Sequence, residues 1–308
     1  METATLEPAS PALVKEAPVV SLLICTRNRA PALKGALDSV SQAAAHARDV
    51  AFELIVVDNG STDQTQKVFA DWAAGARLDA RLIFEGRPGL SVARNVGMRA
   101  ARGDIIAFTD DDCRLDADFL ATLVKIYDGV DGPLFIGGRV ELGDVRDKPI
   151  TIKTELTPAE FDGLGAGSFI IGCNMAFNRA AMTLIGDMDE RLGAGTPLYA
   201  SEETDYIWRA HVAGVPLRYL PQLAVRHFHG RRTVEECRKL MHGYCIGNGA
   251  LYAKYPGSLL ARQLRWDIKC AVLELFGKVE YDPELGLSYR AKLWGNMIGI
   301  MRYHMPAK

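Results

Sequence analysis

The six cysteines (Cys25, Cys113, Cys173, Cys237, Cys245 and Cys270) never form a C-x-x-C pair. Most of them lie in apolar segments, so they read as buried free thiols, and neither a disulfide framework nor a zinc site is expected. No uninterrupted apolar run is long enough to span a bilayer. Charge of one sign is also missing: the formal net charge is −2, and no global basic field points to nucleic acid. The first apolar run is not followed by G-x-G-x-x-G, which weakens a dinucleotide-binding reading, and the absence of G-x-x-x-x-G-K-[ST] removes a P-loop. Residues 1–18 lack a positive segment followed by an apolar one, so a disordered tail is expected there and not a signal peptide. With no export signal and reduced thiols, the expected compartment is the cytoplasm.

What is present is the composition of an ordinary globular chain: 308 residues, 48% hydrophobic and 24% charged. Short apolar runs predict strands at Val19–Cys25, Phe52–Val57, Arg81–Phe84 and Ile105–Thr109. Helical spacing is found between them: Ala30–Ala45 with Pro31 in its first turn, a helix to Ala74 behind the caps Ser61, Thr62 and Asp63, and Ser91–Ala101 closed by Gly103. Alternation of this kind predicts an α/β fold with a mostly parallel, doubly wound sheet. Ligands bind such sheets beyond the carboxyl ends of the strands. Three predicted strands end there in polar groups: Thr26-Arg27-Asn28, Asp58-Asn59 and Asp110-Asp111-Asp112. The triple aspartate is either a solvated acidic loop or a site of hard oxygen ligands for Mg²⁺ or Mn²⁺, and convergence on one crevice favours the metal.

Further along, Asp116–Tyr127 predicts a helix and Leu134–Leu142, with Gly137-Gly138, a strand with a bulge. Gly143–Ser168 reads as a long loop, Phe169–Phe177 as a strand and Arg179–Ile185 as a short helix. A Gly-rich stretch, Leu192–Ala200, leads to Ser201 as N-cap, which places Glu202, Glu203 and Asp205 in one helical turn. Those acids either complement the helix dipole or do chemistry. Short strands are expected at Leu217–Tyr219 and Leu223–Val225. On a strand continuing from there, His227 and His229 would share a face. The remainder, from Thr233, reads as amphipathic helices that pack on the core or contact a partner or membrane surface.

Taken together, VVSLLICTRNR (19–29), ELIVVDNGSTDQT (53–65), GLSVARNVGMRAARGDIIAFTDDD (89–112), GCNMAFNR (172–179), SEETDYIWR (201–209) and HFHGRR (227–232) resemble the family 2 inverting glycosyltransferases. The resemblance implies a GT-A fold over residues 19–232, with residues 233–308 as a C-terminal helical extension of the type appended in bacterial polysaccharide-building members. It implies a nucleotide-sugar donor, with UDP the first expectation, Mn²⁺ or Mg²⁺ as cofactor, and direct displacement at the anomeric carbon onto a glycan or lipid-linked acceptor. Asp112 matches the metal-binding carboxylate of the family's DxD motif. Asp110 matches the contact to ribose or metal, and Asp58 the contact to the base. Thr26, Arg27 and Asn28 match the loop lining the nucleoside, and Arg94 a position near the phosphates or base. Glu203 aligns with the second acid of the family's Glu-Asp motif, usually Asp, and Glu202 with the first. The general base is therefore Glu203, with Glu202 as the alternative. Either His227 or His229 matches a histidine that completes the metal site. A nucleotidyltransferase or a non-catalytic glycan- or partner-binding relative are the competing readings. The loop 143–168 and the stretch before Glu202 are expected to shape the acceptor site.

Overall fold

The computed structural model describes residues 18–281 and 286–305. The expected disordered tail, except its last residue, lies outside the described residues. The N-terminal half alternates as expected: β1 (Val20–Thr26), α1 (Ala30–His46), β2 (Phe52–Asp58), α2 (Thr65–Ala76), β3 (Ala80–Phe84), α3 (Leu90–Ala100) and β4 (Ile105–Asp110). Strands β3, β2, β1 and β4 lie side by side, all parallel. Leu22–Ile24, Leu54–Val57 and Ile106–Ala107 are fully buried because helices cover both faces of the sheet. Register then decides what meets at the strand ends: Thr26 pairs with Asp58, and Cys25 with Asp110.

The chain continues through β5 (Cys113–Leu115), α4 (Phe119–Tyr127), β6 (Phe135–Leu142), β7 (Ala159–Glu160), α5 (Ala166–Phe169), β8 (Asn174–Asn178), α6 (Arg179–Ile185), α7 (Glu202–Val212) and β9 (Leu217–His227). The sheet order is β3-β2-β1-β4-β8-β6-β9-β5, with β7 on β9. Strand β8 enters antiparallel between β4 and β6, and β5 runs antiparallel to β9. The strand therefore reverses immediately after Asp110, and the aspartates occupy that reversal.

Several local expectations are corrected. The two short strands around Pro221 are one strand, β9. Its register against β6 slips between Gly138 and Arg139, so Gly138 faces Leu220 while Arg139 faces Ala224. The bulge is held by Asn174, whose Nδ2 donates to the carbonyls of Arg139 (2.9 Å) and Leu223 (3.0 Å). A Cβ on Gly138 would overlap the Leu223 carbonyl and the Asn174 amide. Gly138→Ala is accordingly expected to cost about 1–3 kcal/mol, read as a lower urea midpoint at unchanged slope. Gly103 does not cap α3, which ends at Ala100. It sits where a Cβ would come within 2.6 Å of the Ser21 nitrogen. Helix α2 begins at Thr65, with Asp63 Oδ1 accepting from the Thr65 amide at 3.0 Å. The loop 143–168 is not structureless: Lys153 bridges to Val140, and β7 and α5 lie within it.

Three helices complete the chain: α8 (Val234–Lys254), opened by a Thr233/Glu236 capping box, α9 (Leu259–Leu275) and α10 (Tyr289–Tyr303). Glycines let α8 and α10 touch backbone to backbone, since a Cβ on Gly249 or Gly299 would land on a carbonyl oxygen of the other helix. The end of α8 is tied to α7 by Asp205, which is fully buried. Lys254 Nζ lies 2.7 Å from it, Tyr255 donates its hydroxyl at 2.8 Å and Arg209 its Nε at 2.9 Å. Asp205 thereby fixes where Glu202 and Glu203 stand.

Candidate active site

A cavity of about 370 Å³ opens at the carboxyl ends of β1 and β4. It gathers Thr26, Arg27, Arg94, Asp110, Asp112, Glu202, Glu203 and His227. Asn28, Asp58 and His229 are not among its lining residues.

The three aspartates differ. Asp111 turns inward: Thr26 Oγ1 donates to its Oδ2 at 2.7 Å, and Arg29 Nε sits 3.0 Å from Oδ1. Burial pushes its carboxyl up to about 7, against the pull of Arg29. Asp112 accepts from Arg29 at 2.6 Å through Oδ2, and its Oδ1 lies 3.3 Å from His227 Nε2. Burial opposes its ionisation, yet His227 and Arg29 prevail and hold it well below the usual carboxylate range. Asp110 is raised by burial, and Asp112 adds to that, with Arg94 (3.6 Å away) opposing. Asp110, Asp112 and His227 thus line one cavity, and carboxylate and imidazole donors are of the type that suits a hard or borderline divalent cation.

The histidines separate as well. His227 places Nδ1 3.2 Å from the Thr151 carbonyl, which in a neutral ring directs that N–H to the backbone and leaves Nε2 facing Asp112. Burial works against its charged form, but the Asp112 hydrogen bond raises it to about 9. The His229 ring packs edge-to-face against that of His227, 5.2 Å between centres, but does not line the cavity. Its Nε2 meets the Lys148 carbonyl at 3.1 Å and its Nδ1 accepts from the Arg231 amide at 3.0 Å. Both of its nitrogens are engaged with backbone, and it orders the turn after β9.

Arg94 is the hub between strand and helix. Its side chain is 3% exposed. It donates to Glu202 Oε1 at 3.0 Å, approaches Asp110, and rests 5.7 Å from the centre of the Phe108 ring. Glu202 is buried in this contact; burial, and then the charge of Glu203, push it up to about 8, with Arg94 opposing. Glu203 is partly exposed and faces the cavity, and among the described residues no hydrogen-bond partner holds its carboxylate. The expected N-cap differs. Ser201 adopts φ 73° and donates its hydroxyl to Asn248 Oδ1 at 3.1 Å without capping the helix. A side chain in the left-handed region is a strained arrangement, and it directly precedes the two glutamates.

At the other end, Thr26 and Arg27 line the cavity. Asn28 takes φ 55° and accepts from the Thr62 amide at 2.7 Å, stitching the loop after β1 to the loop after β2. Asp58 is fully buried. It accepts from the Ser61 amide (2.8 Å) and Gln66 Nε2 (2.7 Å), so it shapes the wall, and Asn59 reaches the cavity instead. Arg29, Arg231 and Tyr244 belong to the site and were not singled out from sequence. Arg29 and Arg231 sit in the TRNR and HFHGRR motifs and could have been found there. Tyr244 lies on α8 and carries no motif.

A second cavity, about 650 Å³, adjoins the first. Thr151, Ile171, Glu203 and Tyr244 line both. Its far wall includes Asn248, Tyr252, Arg262, Gln263 and Trp266 from α8 and α9.

A parallel half-sheet, an acidic reversal after β4 and a carboxylate-bearing α7 across the cavity are the GT-A arrangement. Solved structures agree on the fold. The mannosyltransferase PcManGT from Pyrobaculum calidifontis, in complex with GDP-Man and Mn²⁺, superposes at TM-score 0.60 and 19% identity, covering 94% of this chain and 88% of that one. S. aureus TarS 1-349 in complex with UDP-GlcNAc gives 0.52 and 16%, covering 92% and 89%. The chain belongs to glycosyl transferase family 2, whose model matches residues 21–184. That membership favours the glycosyltransferase reading over the nucleotidyltransferase one. Among curated relatives, a glucosyl-dolichyl phosphate glucuronosyltransferase of Haloferax volcanii is 26% identical over 193 residues, 59% of this chain and 57% of that protein. Glycosyltransferase AglE of the same organism is 33% identical over 125 residues, 40% of each chain. The chain spans about half the length of the curated relatives it matches.

Proposed function

We propose that this protein transfers a sugar, with inversion, from a nucleotide-sugar donor to a glycan or lipid-linked acceptor, a UDP-sugar being the favoured donor. The observation that carries the reading is Glu203, a carboxylate without a hydrogen-bond partner among the described residues, which lines both cavities and shares the first with Asp110, Asp112 and His227. The first cavity takes the donor. Thr26, Arg27 and Asn59 line its nucleoside end, and Asn28 and Asp58 hold the loops that shape it. A divalent ion, Mn²⁺ or Mg²⁺, held by Asp112, Asp110 and His227, would supply Lewis-acid stabilisation of the diphosphate leaving group. Arg94 positions Glu202 and Asp110 and so keeps α7 at its distance from β4. Glu203 takes the proton of the acceptor hydroxyl as that oxygen attacks the anomeric carbon from the face opposite the diphosphate. Structural neighbours solved with GDP-Man, with UDP and with UDP-GlcNAc support a nucleotide-sugar donor. Residues 19–232 form the transferase domain in this reading. Residues 233–308 are the C-terminal extension in this reading, and its helices α8 and α9 wall the second cavity, where the acceptor binds. The test is release of nucleoside diphosphate from a panel of UDP-, GDP- and dTDP-sugars with Mn²⁺ or Mg²⁺. Absence of both binding and turnover with every donor refutes the reading.

Helices α9 and α10 support contact with an anionic lipid surface from the cytoplasmic side. Val272, Leu275, Trp294 and Met297 line one exposed apolar groove, with Arg290 as its basic residue. No helix among the described residues is long and apolar enough to cross a membrane. The protein is expected to co-sediment with vesicles of phosphatidylcholine and phosphatidylglycerol, less with phosphatidylcholine alone, and to lose the interaction in Val272→Glu/Trp294→Glu.

A further inference from the structure

Beside the hard-ligand cluster lies a soft one. Strand β5 pairs with β9 so that Cys113 is the cross-strand partner of His227. Cys173 directly precedes β8, whose Asn174 pairs with Thr109 of β4, and so it arrives beside the same aspartates. Ligand atoms of Cys113, Cys173 and His227 lie within 4.8 Å of one another, and all three residues are buried. Asp112 supplies a fourth atom: its Oδ1 is 4.0 Å from Cys113 Sγ and 3.3 Å from His227 Nε2. A tetrahedral Zn²⁺ with bonds of about 2.3 Å to sulfur sets its thiolates roughly 3.8 Å apart, so the ligand atoms of Cys113, Cys173 and His227, at most 4.8 Å apart, need to close by about 1 Å or less. All six cysteines are free thiols, and Cys173 and His227 line the first cavity, which gives an ion an entry path.

We propose that Cys113, Cys173, His227 and Asp112 form a site for a thiophilic divalent ion, Zn²⁺ above all, that overlaps the hard-metal site and switches the enzyme off. The overlap rests on the reading of Asp112 and His227 as ligands of the catalytic ion; the thiolate site itself does not. Two sulfurs and an imidazole select Zn²⁺ over Mn²⁺ by softness, and the intrinsic affinity order runs the same way. On binding, both thiols release their protons to solvent and the ion keeps His227 Nε2 and Asp112 Oδ1. The hard site is left with Asp110 and one oxygen of Asp112, which Arg29 already occupies. Zinc therefore excludes Mn²⁺ by taking its ligands, without entering the nucleoside or acceptor pockets. This changes the reading of two of the cysteines from sequence: they are scattered in the chain but not in space.

The test uses the full chain kept reduced by a phosphine and titrated with Co²⁺ as a spectroscopic stand-in. One equivalent is expected to produce thiolate-to-cobalt charge-transfer absorption that Zn²⁺ abolishes. Cys113→Ala and Cys173→Ala, each checked for folding by circular dichroism, are each expected to lose it. Zn²⁺ is expected to raise the Mn²⁺ concentration for half-occupancy, followed by the paramagnetic resonance of free Mn²⁺, by more than about tenfold in the wild type and not in Cys113→Ala. Cobalt spectra with oxygen and nitrogen ligands only, or a thiolate band surviving in both variants, overturn the site. A thiolate band with unaltered Mn²⁺ occupancy overturns the overlap. These readouts do not depend on turnover, so failure of the transferase reading would show separately, as no release of nucleoside diphosphate.

Discussion

Glu203→Gln is expected to lower transfer by about 10²–10⁴-fold, the range for losing a positioned proton acceptor, while leaving donor affinity unchanged. The amide keeps the shape of the carboxylate and removes only its capacity to take a proton. Because Glu203 has no hydrogen-bond partner among the described residues, the substitution breaks no internal contact. Glu202→Gln is the informative contrast. Glu202 is buried and accepts from Arg94, so replacing its carboxyl group disturbs the contacts of a buried guanidinium. That change is expected to register in thermal stability as well as in turnover. Initial rates and donor binding by calorimetry separate the two roles. Wild-type turnover in Glu203→Gln would move the base elsewhere.

Asp112→Asn carries the second large effect. It removes the carboxylate on which Arg29 and His227 both converge. Mn²⁺ affinity is expected to fall by more than about 100-fold, beyond the loss that follows removal of an outer-shell partner, and turnover should fall with it. Asp111→Asn serves as control. Asp111 faces Thr26 and Arg29, so that change should perturb stability more than metal affinity. The pH dependence has a definite sign. His227 is raised to about 9 in the metal-free protein, so a bound ion must displace its proton near neutrality. Apparent metal affinity is therefore expected to rise from about pH 7 towards 9. The same raised value means that the stability of the metal-free fold from this group is complete below about pH 6.5 and is lost as pH rises through 9.

The parts of the fold that were legible in the sequence are those where one physical signal acts alone. The strands β1, β2 and β4 are unbroken apolar runs buried on both faces, each ending in a polar cluster, and parallel register carries those ends to one edge. The acids of α7 and the DDD reversal were legible for the same reason. What was not legible depends on distant backbone. Ser201 looks like a cap, but Gly247 on α8 lets helix and loop approach so closely that a Cβ there would lie 2.5 Å from Ser201 Oγ, and the hydroxyl turns to Asn248. His227 and His229 do come side by side, but the turn after β9 engages both nitrogens of His229 with backbone, which no spacing in the sequence announces. Asp58 stands at a strand end like the others, and its loop folds back to consume both of its oxygens. Arg29 stands in the TRNR motif, but its partners Asp111 and Asp112 lie more than 80 residues on, and nothing local announces that pairing.

The junction at Glu203 has a kinetic consequence. In the proposed direct displacement the acceptor hydroxyl attacks the bound donor itself, with Glu203 lining both cavities. Donor and acceptor therefore have to be present together, and initial-rate plots should intersect instead of running parallel. The same carboxylate cannot tell a sugar hydroxyl from water. Whenever the second cavity holds water in place of an acceptor, slow hydrolysis of the donor should follow, at a rate that a tight acceptor analogue suppresses.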